Sequence, residues 1–307
     1  MVKISNEIVL KIAKELGFDI IGFAKAEILN DQILLYENWL SNGFHSGMDY
    51  LNKNIDKKKD VSKVLPSVKS IISLGVNYYK NEGYVDKPDN SGKVSRYAWG
   101  KDYHIVIKKM LNKLESQLKE IDNNFESISY VDTGPVLDKV WAIKAGLGWM
   151  GKHTNVINRN IGSWFFIANI LCNYEFTYSE EINDFCGSCN ACIEACPTKA
   201  IIVPYVVDSN KCISYHTIEN KGVIPDVFKN QFDDWAFGCD ICQDVCPWNR
   251  KFSKVSNKSE FEVKNKFIKK DEIDQMSESD FNNKFKDSPI KRSKLKGIKR
   301  NLSFIIE

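Results

Sequence analysis

The most constraining feature of this sequence is its cysteine framework. Cys186-x2-Cys189-x2-Cys192-x3-Cys196-Pro197 is followed by an isolated Cys212 and then by Cys239-x2-Cys242-x3-Cys246-Pro247. Three closely spaced thiols let one loop wrap a [4Fe–4S] cubane, while the fourth, placed before a proline, reaches over to a second cluster. Crossover of this kind puts Cys186, Cys189, Cys192 and Cys246 on one cluster and Cys196, Cys212, Cys239 and Cys242 on the other. Four-thiolate zinc sites also use C-x2-C pairs, but a four-cysteine run closed by proline is poor geometry for zinc. Nor is this the scattered pairing of a secreted disulfide scaffold. The ninth cysteine, Cys172, ends an apolar run and reads as a small buried core residue.

Two clusters alone would make an electron carrier, yet 185 residues precede Cys186. That segment alternates strand and helix, which predicts an α/β layer with a central sheet. Ser5 is placed to cap a helix with Ile8, Val9, Ile12 and Leu16 on one face, ended by Gly17. Strands are expected over 19–24, 70–76, 127–131 and 161–171, and helices over 31–40, 103–121 and 136–145. The polar stretch 81–93 reads as a loop. No apolar run is long enough to span a bilayer, and Met1 to Phe18 shows no signal-peptide pattern, so a cytoplasmic protein is expected.

Candidate site residues lie in three places. Asp132 follows a predicted strand, where α/β folds place ligand-contacting groups. Shielded by Tyr130 and Trp141, its carboxyl could have a raised pKa and donate a proton; equally, an Asp before Gly134-Pro135 and a helix is a natural cap. The glycine-dense stretch Gly146–Asn155 suits close backbone approach to a large ligand, or a plain loop. The run Arg96–His104 mixes aromatic and polar groups suited to a planar cofactor or a base, or to surface packing. Charge is uneven: from Arg250 to Glu307 there are 16 Lys+Arg against 9 Asp+Glu. Such a balance fits a polyanion-binding surface or a solvated lysine-rich tail.

Taken together, Asp132-Thr-Gly-Pro135, Gly148-Trp-Met-Gly-Lys152, Gly162-Ser-Trp-Phe165, the Cys186 run with Pro197-Thr198, Cys212-Ile-Ser-Tyr215 and Cys239-Asp-Ile-Cys242-Gln-Asp-Val-Cys246-Pro-Trp-Asn249 resemble the epoxyqueuosine reductases. The resemblance runs from the N-terminal helix to about Leu302. It implies an N-terminal α/β cobalamin-binding catalytic domain (1–175), a ferredoxin-like domain with two [4Fe–4S] clusters (176–252) and a short, basic, helical C-terminal segment (253–307). The implied reaction reduces epoxyqueuosine to queuosine at the tRNA wobble position, using cobalamin, the two clusters and an external electron donor. Asp132 matches the family's proton donor. The family pattern also implies cobalamin contacts from Asp132, His153, Thr154, Asn155, Ser163, Trp164 and Ser214.

Phosphate contacts are expected from Lys291, Arg292, Lys294, Lys296, Lys299 and Arg300. Family members are often longer, with a helical-repeat extension, so the part this extension plays in tRNA contact stays open here. The family suggests a monomer. A reductive dehalogenase is the nearest alternative, but it usually carries a twin-arginine export signal and has no use for a basic C-terminus.

Overall fold

The computed structural model describes residues 3–306; Met1, Val2 and Glu307, which belong to the expected first and last segments, lie outside the described residues. A four-stranded sheet forms the centre, with strands Ile20–Lys25, Ser70–Asn77, Phe165–Cys172 and Ser127–Tyr130 adjacent in that order. The expected mixed α/β domain is present. Its pairings are all antiparallel, which strand–helix alternation does not decide.

Both faces of the sheet are covered, so Ser70–Asn77 is buried at every position. Side chains alternate across it. Ile72, Leu74 and Val76 enter one core with the helix Tyr103–Ile121 and the first helix, Asn6–Glu15, while Ile71 enters another with the helix Asp138–Lys144. Ser5 caps the first helix through the Ile8 N–H, as expected. Cys172 is fully buried in the first core.

The sheet and the helix Asp138–Lys144 meet closely at Gly22, where an added Cβ would stand 1.8 Å from the Ala145 carbonyl oxygen. Both partners are backbone and cannot swing aside. Gly22→Ala is therefore expected to cost about 3 kcal/mol or more, read as a lowered denaturant midpoint. An unchanged midpoint would mean the helix packs elsewhere.

The three sequence segments are woven together by a second sheet. Ser91–Val94, which overlaps the end of the stretch read as a loop, is its central strand. It pairs with Trp235–Phe237 from the cysteine-rich segment and with Phe267–Lys269 from the C-terminal segment. Its polar composition hid it, because its burial comes from partners far along the chain. The last helix, Lys294–Ile305, closes this core with Leu295, Ile298 and Leu302. Among the described residues no helix is long and apolar enough to cross a membrane.

Candidate active site

Asp132 leaves the strand Ser127–Tyr130 in an unusual way. Its φ is +60°, and the Thr133 N–H bonds back to the Val131 carbonyl at 2.7 Å, closing a γ-turn around it. A non-glycine residue in this region carries strain that the surroundings must hold. Asp132 caps no helix: the following one begins at Asp138 with Leu137 at its N-cap and no side-chain capping bond. The turn instead presents the carboxylate to a recess of about 270 Å³, lined also by Tyr97, Tyr103, Lys139, Asn155 and Ser163.

The Tyr103 hydroxyl donates to Asp132 Oδ2 at 2.8 Å, and His104 Nε2 stands 3.6 Å from the same oxygen. His104 Nδ1 is 2.8 Å from Asp102 Oδ1 on its other side. The Asp132 side chain is 66% accessible through the open mouth, although protein surrounds it on its other sides. The expected raised pKa is corrected by this geometry. His104 pulls the Asp132 carboxyl below its ordinary range, against the effect of burial, with help from Tyr103 and Lys139. Burial alone would lower His104, but Asp102 and Asp132 outweigh it and lift the imidazole to about 9. Tyr130 and Trp141 pack into the core beside the helix Asp138–Lys144, and neither lines the recess. At neutral pH the carboxylate and imidazolium face each other as an ion pair at 3.6 Å.

The other expected contacts divide. Asn155 and Ser163 line the recess with Asp132. Thr154, at φ +64°, gives its carbonyl to Lys139 Nζ at 2.8 Å. His153 is buried on the same loop; burial pushes its pKa down to about 4, and its Nε2 has no partner. Trp164 lies behind the wall, under the Arg96 guanidinium at 4.9 Å. Ser214 turns its N–H and hydroxyl toward the Cys212 sulfur and does not line the recess. The Arg96–His104 run splits: Arg96 and Trp99 are buried, whereas Tyr97 and Tyr103 line the recess. Tyr103, His104, Lys139 and Gln243 were missed as individual residues, because local spacing gives none of them a signature.

The cysteines gather in two neighbourhoods. Burial raises the Cys192 thiol, and Cys186, Cys246 and Cys189 raise it further; Cys246 in turn feels Cys189. Burial likewise raises Cys212, Cys239 and Cys242. There Cys196 acts on Cys212, Cys212 acts on Cys239, and Cys212 and Cys196 act on Cys242. Cys192 also acts on Cys242, which is where the two groups meet. Thiols so buried become thiolates when a metal centre supplies the balancing charge. N–H groups already face several sulfurs, as at Cys196 Sγ, which accepts from the Ala200 N–H at 3.2 Å. Among the described residues no three His, Cys, Asp or Glu side chains close round a single ion.

Direct bonds tie the second motif to the recess wall. Asn249 Oδ1 accepts from the Ser163 N–H at 2.6 Å, and Gln243 Nε2 donates to Ser163 Oγ at 2.9 Å. At the other motif, Lys152 Nζ bonds the carbonyls of Gly187 and Cys189 at 2.8 and 2.9 Å.

Residues 58–133 match the family described as "Epoxyqueuosine reductase QueG, DUF1730", and residues 185–249 match a "4Fe-4S double cluster binding domain". An epoxyqueuosine reductase of Cellulophaga algicola is 43% identical over 302 residues, covering 98% of this chain and 97% of the relative. The chain belongs to the epoxyqueuosine reductase family. A solved epoxyqueuosine reductase of Bacillus subtilis, with its catalytic loop swung out of the active site, matches with a TM-score of 0.90 at 30% identity, covering 96% of this chain and 79% of that one. An epoxyqueuosine reductase solved with an epoxyqueuosine-modified tRNA-Tyr stem loop matches equally well, at 31% identity. As a member of that family this chain is an oxidoreductase whose cofactors are cobalamin and two [4Fe–4S] clusters.

The basic run is only partly available. Arg292 is taken up by a bidentate pair with Glu219, at 2.7 and 3.0 Å. Arg300 donates to the carbonyls of Asn220, Gly222 and His216, and Lys299 to that of Asp274. Lys299 and Arg300 thus fasten the last helix to its neighbours, and Arg292 ties the turn before that helix to Glu219. Lys291, Lys294 and Lys296 are exposed.

Proposed function

We propose that this chain reduces epoxyqueuosine to queuosine in the anticodon loop of tRNA, with Asp132 and His104 supplying a proton to the departing oxygen. The observation that carries this reading is the Asp132–Tyr103–His104–Asp102 array at the mouth of a recess whose wall is bonded to the second cysteine motif. Release of an epoxide oxygen as water consumes two electrons and two protons; the Asp132–His104 pair holds one at neutral pH, and the second comes from solvent. His104 holds a proton at neutral pH, Tyr103 fixes the Asp132 oxygen, and Asp102 fixes the imidazole. When a substrate covers the mouth and displaces water, the cost of a bare carboxylate rises and the His104 proton is drawn toward Asp132.

The residues fit an edge of cobalamin, a cofactor far larger than the recess of about 270 Å³, which would cover its mouth. Tyr97 and the hydroxyl edge of Tyr103, whose ring is stacked between His104 and Phe166, stand with the polar groups of Asn155, Ser163 and Lys139 in the recess wall, and the nearby loop carries the buried, unpaired Nε2 of His153. When bound there, cobalamin supplies the two-electron chemistry at cobalt. The two thiol groups have distinct positions. Cys189 is exposed, whereas the charges of Cys242 and Cys212 reach Lys139 in the recess, and that of Cys242 reaches Tyr78. Holding a cluster, the Cys186, Cys189, Cys192, Cys246 group would be placed to take electrons from outside, and the Cys196, Cys212, Cys239, Cys242 group to pass them toward the recess. A cytoplasmic setting suits both a tRNA substrate and thiols kept reduced.

The deciding experiment is anaerobic turnover of epoxyqueuosine-containing tRNA by protein reconstituted with iron, sulfide and cobalamin. Loss of one oxygen mass from the digested nucleoside, dependent on cobalamin, is expected. No conversion with both cofactors bound would point to a small-molecule substrate.

The pH profile follows from the raised His104 pKa. The imidazolium is present below about 9 and is lost above it, so turnover should hold to about pH 9 and then fall. His104→Gln should lower the plateau and remove that limb. An unchanged alkaline limb in this variant would exclude His104 as the titrating group. For RNA affinity, Lys294→Glu with Lys296→Glu should weaken tRNA binding by about tenfold and flatten its salt dependence. Binding and salt dependence that match the unaltered protein would remove these lysines from the interface.

A further inference from the structure

Asp240, between the cluster ligands Cys239 and Cys242, is 1% exposed and enclosed by hydrogen-bond donors. Ser95 Oγ donates to it at 2.5 Å, the Tyr84 hydroxyl at 2.8 Å, the Arg96 N–H at 2.9 Å and Arg96 Nη1 at 3.1 Å. The same Nη1 lies 2.7 Å from Asp244 Oδ1, and Nη2 donates to the Glu82 carbonyl. The guanidinium is caged by the rings of Trp164, Tyr84 and Trp99 at 4.9, 5.1 and 5.4 Å.

Stability does not account for such a group. Burying ions costs several kcal/mol each, and a well-packed neutral replacement is often as stable. A loop could be anchored by neutral hydrogen bonds. What a neutral anchor cannot provide is a fixed field at the metal centre, unscreened by salt because it is buried. One guanidinium faces two carboxylates here, so the hub is net negative when both are ionised.

We propose that the Arg96–Asp240–Asp244 hub sets the reduction potential of the cluster held by Cys196, Cys212, Cys239 and Cys242, keeping it low enough to pass electrons into the recess. This rests on the two-cluster assignment above. Negative charge beside a cluster disfavours the incoming electron, and net charge and hydrogen bonding are the established levers on such potentials. The field is placed at that cluster: Asp240 sits in the chain between its ligands Cys239 and Cys242, and Ser95 and Arg96 fix the carboxylate there. Trp164 links the hub to the recess, since it stacks on Arg96 and follows Ser163 in the wall.

The test is an EPR-monitored redox titration of the full reconstituted chain, with iron content measured alongside. The unaltered protein must first show two [4Fe–4S] signals; any other iron count would refute the cluster assignment itself, separately from this proposal. Asp240→Asn should move one cluster to a more positive potential and leave the other in place. Arg96→Gln should move the same cluster in the negative direction. Opposite signs from two residues of one hub are not produced by simple loosening of the loop. If Asp240→Asn fails to retain iron, Asp244→Asn at the half-exposed rim decides, with a smaller positive shift expected. Shifts of the same sign in Asp240→Asn and Arg96→Gln, or no shift with iron retained, would overturn the proposal.

Discussion

Asp132→Asn should reduce turnover about 10²- to 10⁴-fold, the range supplied by a positioned general acid, with iron and cobalamin binding preserved. Asparagine is the informative substitution. It keeps the shape of the side chain, still accepts the Tyr103 hydrogen bond, and is among the few residues that tolerate the positive φ of the γ-turn. What it lacks is the proton. Loss of its charge also removes one of the two groups that hold His104 high, so any residual activity should decline at a lower pH than in the unaltered protein. Digested tRNA examined by mass would read both effects. Turnover at the unaltered rate would remove Asp132 from the chemistry and leave its strained turn without a catalytic reason.

Cys212→Ala should be comparably severe by a different route. Cys212 stands apart from both close-spaced motifs, and its thiol adjoins Cys196 and acts on Cys239 and Cys242. Losing it should cost about half of the bound iron and reduce turnover to background, because the cluster beside the recess is the one removed. Iron analysis and the EPR signal of the remaining cluster separate this from global unfolding. Full turnover with half the iron would mean that electrons reach the recess without this cluster.

The structure also changes how the basic C-terminus is understood. Arg292 and Arg300 look identical in sequence to the exposed lysines around them. Their long side chains instead neutralise Glu219 and satisfy carbonyls at 216, 220 and 222. Charge counting identifies where basic residues are dense, but the partners of each depend on what the fold brings alongside.

Much of the architecture was already written in local chemistry. Cysteine spacing fixes which thiols one loop can present to a cubane, and proline after Cys196 and Cys246 turns the chain away; neither needs a tertiary partner. The helix Tyr103–Ile121 and the strand Ser70–Asn77 were legible because apolar periodicity is a local property. Ser91–Val94 was not, since its burial comes from strands more than a hundred residues away. The same reason separates the visible from the hidden parts of the site. Asp132 could be singled out from its strand-end position and the motif around it. Its protonation could not, because that depends on Tyr103 and His104, brought within 2.8 and 3.6 Å by a helix from another part of the chain. By itself the sequence determined the metal-ligand framework and the family chemistry it serves. Only the tertiary structure decided the charge state of the acid and the bonds from the cluster loops to the recess wall, because electrostatic energy depends on distance in space rather than along the chain.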